Sequence, residues 1–399
     1  MHNIYPCRTD TAIRALTASG RCGTGAVVNF AQAIPALRRI AGRRQVWPVG
    51  FNLGTEQLHM VQMERVSGRP IIRATASVPY PCEREALLAS PALFKAFVKQ
   101  ALQAGPFVGK RVVACIAPYE LKLMLVEYKQ LDGQGESDAL LKELRERMRQ
   151  ELDESVVDYL PLRNTDTQET AKSAIVAVAR RAQVLAYLEL LRRAGLEAVA
   201  LDIGPAALTR LVAALDTTRS HPNVLLINFG RFKSYLSVIW GRRLMLDREI
   251  DFGEQWLVAN LAENLDIPGA LVTKLLYEHG FQSMIGSRPE LEDGDISRTM
   301  AEILRPEFAE LAKEINKTLI YVASRTHGKS VEQVYLLGSA ARYPHVAEFL
   351  NELLKIPVEV LNPLDTFEFA AGAAPSDPKP AGGIALAAGL ALRGMHADD

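Results

Sequence analysis

From Val46 to Tyr80 apolar and polar positions alternate in three runs, broken at Asn52 to Thr55 and at Ser67-Gly68; this period of two predicts three antiparallel strands. The period then lengthens. Pro91 to Ala104 predicts a helix, and Arg111 to Ala117, ending at Pro118, predicts the next strand. Between Ser137 and Glu154, Leu140, Leu141, Leu144, Met148 and Leu152 recur at helical spacing with Glu, Arg and Lys opposite them. Strands LKLMLVEYK and DYLPLR flank that helix, which makes a small α/β module with a solvated charged face. A strand (Ser173 to Val178), a helix (Gln183 to Arg193) closed by Gly195, and a strand (Ala198 to Asp202) follow. Asp202 then caps a helix whose first turn carries Pro205.

At Asn223 the hairpin pattern restarts in NVLLINFGRFKSYLSVIWGRRLMLDREI. It echoes the first block about half a chain away, and such an echo marks two similar halves. Helices are predicted over Glu254 to Glu263, Pro268 to Glu278 and Arg305 to Ser324. The strand VEQVYLLG, the turn SAARYP, a helix from His345 to Leu354 and the strand VEVL complete this half. A Pro- and Ala-rich linker, Ala371 to Ala381, leads to a closing helix.

Composition narrows the class. A chain of 399 residues, 48% hydrophobic and 23% charged, is globular and suits two or three domains. Lys plus Arg equals Asp plus Glu at 46 each, so no net field draws the chain toward nucleic acid or an anionic membrane, although a local patch stays open. Cys7, Cys22, Cys82 and Cys115 are scattered without a CxxC pair, which fits a reducing compartment and no zinc site. No apolar run reaches the roughly eighteen residues a membrane span needs; the longest, Ala381 to Leu392, is rich in Gly and Ala. Residues before Trp47 stand apart, with seven arginines, no lysine and one acid, Asp10. That composition is shared by transit and interfacial peptides, and the segment is expected to be a disordered basic extension outside the fold.

Common catalytic patterns are missing. Ser234 and Ser237 lie in a strand without a GxSxG elbow, the seven histidines are dispersed, and neither a Walker GxxxxGK[ST] nor a GxGxxG after a first strand occurs. Glu314 and Lys317 share a helical face as a surface pair.

Four stretches carry a family resemblance. Val49-Gly50-Phe51-Asn52-Leu53-Gly54-Thr55 resembles the first phosphate turn of the actin, hexokinase and Hsp70 superfamily, and Ile227-Asn228-Phe229-Gly230 resembles the second. Leu336-Leu337-Gly338-Ser339-Ala340-Ala341-Arg342 is similar to the glycine-rich adenosine turn. Val358 to Pro363 and the ending Gly389 to Gly394 are similar to the type IV pilus assembly protein PilM family, a relative of the cell-division protein FtsA. Arg248 to Gly253 resembles the entry to an upper subdomain, and Ala270 to Lys274 a helix that supplies a lysine near the adenine.

The resemblance implies an α/β, actin-like (ribonuclease-H-like) two-domain fold with an FtsA/PilM-type inserted subdomain. Its expected divisions are a basic extension over 1–45, domain I over 46–222 with an insert at about 105–172, domain II over 223–382 with an upper subdomain at about 243–330, and a closing helix over 383–399. It implies a cytoplasmic scaffold, peripheral to the inner membrane, under a type IV pilus or related secretion platform. The implied partners are the cytoplasmic tail of a PilN-like single-span protein and other platform proteins, with no nucleic acid and no membrane span of its own. The tail would lie in a groove lined from Arg111 to Leu125 and by the helix Gln183 to Arg193; self-association stays open.

The implied nucleotide cleft comprises Asn52, Gly54, Thr55, Asn228, Gly230, Lys274, Gly338 and Ser339. The family places an aspartate in each phosphate turn to hold hydrated magnesium; this chain has Asn52 and Asn228, and an amide brings no charge. His59 stands where a lysine is usual, and Ser339 and Ala340 replace glycines. A pseudo-ATPase with no catalytic residue and no metal is therefore expected, with weak magnesium-free ATP binding left open. The alternatives are an active ATPase or small-molecule kinase of the same superfamily, and a secretion-platform protein resembling GspL.

Overall fold

The computed structural model describes residues 45–130, 133–162, 171–215, 223–281, 293–373 and 383–396. The arginine-rich extension and most of the Ala371 to Ala381 linker lie outside them. In the first half, β1 (Gln45–Val46), β2 (Val49–Leu53), β3 (Gln57–Val66) and β4 (Arg69–Pro79) form the expected antiparallel start. Ser67 and Gly68 both adopt positive φ and close the β3–β4 hairpin. Next come α1 (Arg84–Ala89), α2 (Pro91–Gln103) and β5 (Arg111–Cys115). Ser90 caps α2 through Oγ to the Leu93 N–H (3.4 Å), with Pro91 at its first position.

A separate three-stranded sheet is inserted at this point: β6 (Leu121–Lys129), α3 (Glu136–Met148), β7 (Ser155–Leu162) and β8 (Ala171–Arg180), in the order β6-β8-β7. Leu140, Leu144 and Met148 of α3 pack onto Val126, Val176 and Val178. This sheet begins at Leu121 and ends at Arg180, whereas the sequence suggested about 105–172. The difference arises because β5 pairs in parallel with β2 and so belongs to the larger sheet, while the apolar run through Val178 continues along β8. The chain returns through α4 (Arg181–Arg193), β9 (Glu197–Asp202) and α5 (Gly204–Leu215). The large sheet runs β1-β3-β2-β5-β9, with β4 on β3.

The second half repeats the plan. Its elements are β10 (Asn223–Phe229), β11 (Ser234–Trp240), β12 (Arg243–Ile250), α6 (Glu254–Leu265), α7 (Gly269–His279), α8 (Asp293–Arg325), β13 (Gln333–Gly338), α9 (Val346–Leu354), β14 (Val358–Val360) and α10 (Ile384–Arg393). The sheet order is β12-β11-β10-β13-β14. Helix α8 starts well before the expected Arg305 and carries Pro306 inside it. The missing N–H is tolerated because Met300, Ala301 and Leu304 before the proline continue the same buried face as Phe308, Leu311 and Ile315 after it.

Alternation along β10 assigns its two faces. Leu225, Ile227 and Phe229 meet α6, α7, α8 and α9, while Val224 and Leu226 meet a second cluster shared with the first half. That shared cluster holds Trp47, Val61 and Met63 from one sheet, Tyr335 and Leu337 from the other, and α5 and α10 between them. The Gly- and Ala-rich run is thus an interior helix, in which Ala387, Ala388 and Ala391 let two sheets approach one wedge. No helix among the described residues is long and apolar enough to cross a membrane.

Candidate functional site

The two hairpin turns and the β13 turn converge between the halves. In the first, Asn52 and His59 are cross-strand partners on β2 and β3. The Asn52 Nδ2 donates to the Gly383 carbonyl at 3.3 Å. The His59 ring lies under Gly383 so closely that a Cβ on Gly383 would fall inside it, and its Nδ1 sits 2.9 Å from Ser77 Oγ. Burial, aided by the charge of Arg342, pushes the His59 pKa down to about 4, so the imidazole is neutral near pH 7. Both side chains are almost fully buried and together anchor the start of α10. Gly54 shapes the tip: its N–H bonds to the carbonyls of Asn52 (3.1 Å) and Gln57 (3.0 Å), and its own carbonyl accepts from Tyr80 Oη at 2.8 Å. Thr55 is exposed.

The second turn is built from β10 and β11. Asn228 is flanked by Tyr235 on one side and Leu337 on the other. It is half-buried, and its amide has no hydrogen-bond partner among the described residues. The carbonyls of Gly230 and Arg231 accept the N–H groups of Glu254 (3.0 Å) and Gln255 (2.8 Å), which docks the first turn of α6 onto the hairpin. At the β13 turn, Gly338 has φ of 85° and lies against Phe229, where any Cβ would collide with the Phe229 carbonyl oxygen. The Ser339 N–H donates to that same carbonyl at 3.0 Å. The second and third turns are therefore one locked unit.

Side chains span the cleft. Arg231 Nη1 reaches Glu56 Oε1 at 3.0 Å and so joins the first turn to the second. The Arg342 guanidinium lies 4.3 Å from the centre of the Tyr277 ring. Glu254 Oε1 accepts from both Tyr277 Oη (2.7 Å) and Tyr343 Oη (2.5 Å), and burial with that carboxylate drives both phenol pKa values upward. Of the residues expected here, Asn52, Gly54, Thr55, Asn228, Gly230, Gly338 and Ser339 lie in the three converging turns. Lys274 instead faces Glu278 on its own helix at 3.7 Å and is well exposed. Sequence reasoning missed Glu56, Arg231, Glu254 and Tyr277. Their signal, opposite charges and aromatics from distant segments, has no local period.

Positions 52 and 228 present no carboxylate to a hydrated magnesium ion. The nearby acids are already engaged, Glu56 by Arg231 and Glu254 by the two tyrosines. Asp202, buried at the end of β9, is held by Arg210, by Arg393 at 3.1 Å and by the Ile203 N–H at 2.8 Å. No group of three or more His, Cys, Asp or Glu side chains suited to a metal occurs among the described residues. Outside the cleft, Ser234 donates to the Phe252 carbonyl (2.5 Å) and Ser237 to Asp247 (2.5 Å), which accounts for both serines as structural. Burial raises the Asp247 pKa to about 7.

The family model for type IV pilus assembly protein PilM matches residues 50–283 and 287–395. Among solved structures, a PilM-PilN type IV pilus biogenesis complex is similar at 23% identity and TM-score 0.69, covering 88% of this chain and 98% of that one. Weaker likeness links it to ethanolamine utilization protein EutJ from Carboxydothermus hydrogenoformans (14% identity, TM-score 0.49, 87% and 89% coverage). MreB 5 of Spiroplasma citri bound to AMPPNP is more distant (10%, 0.42, 89% and 95%). No curated protein sequence matches. Two hairpin-led halves, three converging turns and a family match along nearly all of the fold lead to one conclusion: the chain belongs to the PilM family of type IV pilus assembly proteins and has their actin-like α/β fold.

Proposed function

We propose that the chain is a scaffold of a type IV pilus inner-membrane platform, acting on the cytoplasmic side through the tail of a PilN-like membrane protein, and that its nucleotide cleft is degenerate. The observation that carries the second part is the use made of the first turn. Asn52 and His59, at positions that hold phosphate and metal chemistry in the superfamily, are spent on anchoring Gly383. A bound magnesium ion there would need charge that neither turn supplies. Weak, magnesium-independent nucleotide binding fits this reading; hydrolysis does not.

For the partner, the support is the family and a surface between the large sheet and the inserted one. There Tyr119 is 69% exposed with the Arg84 guanidinium over its ring at 5.4 Å, and Leu185 on α4 is 45% exposed. An extended peptide with apolar side chains suits such exposed apolar positions. The same proposal divides the chain into a first domain over 46–222 carrying the inserted sheet, a second over 223–382 with helices α6 to α8 as its upper part, and the closing segment 383–399.

Capture of a PilN-like N-terminal peptide, measured with the purified chain and with L185E, tests the scaffold. Micromolar binding to the wild type that falls at least about tenfold in L185E is expected. Equal binding by both, or none by either, contradicts it.

A further inference from the structure

Helix α3 covers only one face of the inserted sheet. Side chains alternate along its strands, so Val126, Val176 and Val178 meet α3 while Leu121, Leu123 and Leu125 of β6 and Leu160 of β7 point the other way. These leucines are half-buried and join none of the apolar cores formed by the described residues. The register orders this second face into rows across β6, β8 and β7. Leu121, Ala179 and Val156 form the row at the root, Leu123, Ala177 and Asp158 the next, and Leu125, Ile175 and Leu160 the one beyond. In the middle row the small Ala177 leaves a hollow with a leucine on one side and a carboxylate on the other.

The carboxylate lacks a counter-charge of its own. Asp158 Oδ1 accepts the Tyr159 N–H at 2.9 Å, its sole hydrogen bond among the described residues. Desolvation pushes its pKa up, against the Tyr159 N–H and the charge of Arg393. Arg393 itself is held by Asp202 (3.1 Å) and the Leu201 carbonyl (3.2 Å), and no cation lies within salt-bridge distance of Asp158 among the described residues. A carboxylate set in an apolar face is costly to keep charged, and a cation brought by a ligand would offset that cost. The face also looks inward: Glu127 at its far end meets Arg325 of α8 at 3.2 Å, and Asp158 lies on the side of Arg393 at the end of α10. It thus opens on the space between the inserted sheet and the two halves.

We infer that this inner face holds the PilN-like tail by its apolar residues and selects one Lys or Arg among them, whose aliphatic stem lies over Ala177 against Leu123 and whose charged head pairs with Asp158. The inference rests on the scaffold reading above and adds to it the chemistry of the recognised segment. Successive rows lie about 7 Å apart, the repeat of every second residue in an extended chain. A tail running along the strands therefore carries apolar, cationic and apolar side chains at alternate positions, matched to the three rows. A second copy of this chain offers no such complement on the page, whereas a single desolvated carboxylate between apolar rows fits one cation in an apolar segment.

Calorimetric titration of the full chain with a PilN-like N-terminal peptide, and with peptides in which each Lys or Arg is replaced in turn by Gln, tests this. One replacement is expected to weaken binding to the wild type at least about tenfold, and D158N to weaken the unaltered peptide by a similar factor. Combined, the two changes should add little beyond either alone, which a merely structural role for Asp158 would not produce. The D158N variant should keep the wild-type thermal midpoint, and the peptide series decides the matter on wild-type protein should that variant fail to fold. If every Gln-substituted peptide binds the wild type as the unaltered one does, or if folded D158N binds like the wild type, the inference is overturned while the scaffold reading stands. If the wild type captures no peptide at all, both fall. Self-association of the chain that D158N abolishes, with peptide affinity unchanged, also overturns the inference and assigns the face to a second copy.

Discussion

Two asparagines occupy equivalent places in the two halves, and their surroundings differ. Asn52 is buried, hydrogen-bonded to Gly383 and backed by a neutral His59. Asn228 is half-buried and its amide bonds to nothing among the described residues. The Asn52 amide holds the start of the closing helix in place. The first turn is thus committed to structure and the second keeps an open geometry.

The largest expected effect concerns the unit that holds the second and third turns together. G338A forces a left-handed backbone onto alanine and a Cβ onto the Phe229 carbonyl; a loss of about 4 kcal/mol in urea unfolding, or no soluble protein, is expected. A loss under about 1 kcal/mol would mean that this turn is more pliable than its packing indicates.

Acid tests the buried imidazole of the first turn. A histidine whose folded pKa lies below its unfolded value costs nothing above about pH 6.5, and its contribution is lost as pH falls from there toward about 4, by at most about 3 kcal/mol. Asp247 acts with the opposite sign in an overlapping window, because its raised pKa withdraws stability as pH rises toward about 7. The two are separated by comparing wild type with H59Q at each pH. The difference between them should shrink as the wild type loses stability below pH 6.5, and a constant difference would show that His59 is not held neutral.

The asparagine comparison itself is broken or sharpened by paired substitutions. N52D faces the Gly383 carbonyl with a charge in place of a donor and should cost about 2 kcal/mol. N228D replaces an unbonded amide and should stay within about 0.5 kcal/mol of wild type. Equal losses in thermal or urea unfolding would erase the distinction between the turns. A comparably small effect belongs to the bridge across the cleft: R231Q should cost under about 0.5 kcal/mol, since Glu56 is 72% exposed and a solvated pair contributes little. A larger loss would make that pair, rather than the shared core around α10, the main tie between the halves.

The hairpin starts of both halves were legible because period-two alternation and the Asn, apolar, Gly turns are local signals, and Gly338 stood out as the only glycine left in its turn. The inserted sheet was legible as a module but not in extent. Whether Arg111 to Cys115 pairs with β2 or with β6 depends on a parallel partner far away in the chain. The helix expected from Arg305 begins at Asp293, and only the continuous buried face from Met300 to Ile315 carries it through Pro306. Lys274 was placed at the cleft by resemblance, yet on α7 it is Tyr277 that faces Arg342 and Glu254.

On the proposed reading, the cleft does not organise a magnesium nucleotide. Isothermal titration of the purified chain with ATP, with and without magnesium, and phosphate release from the same samples, tests this most directly. Weak or no heat of binding, the same with and without the metal, and no turnover are predicted; tight magnesium-dependent binding with hydrolysis would contradict it.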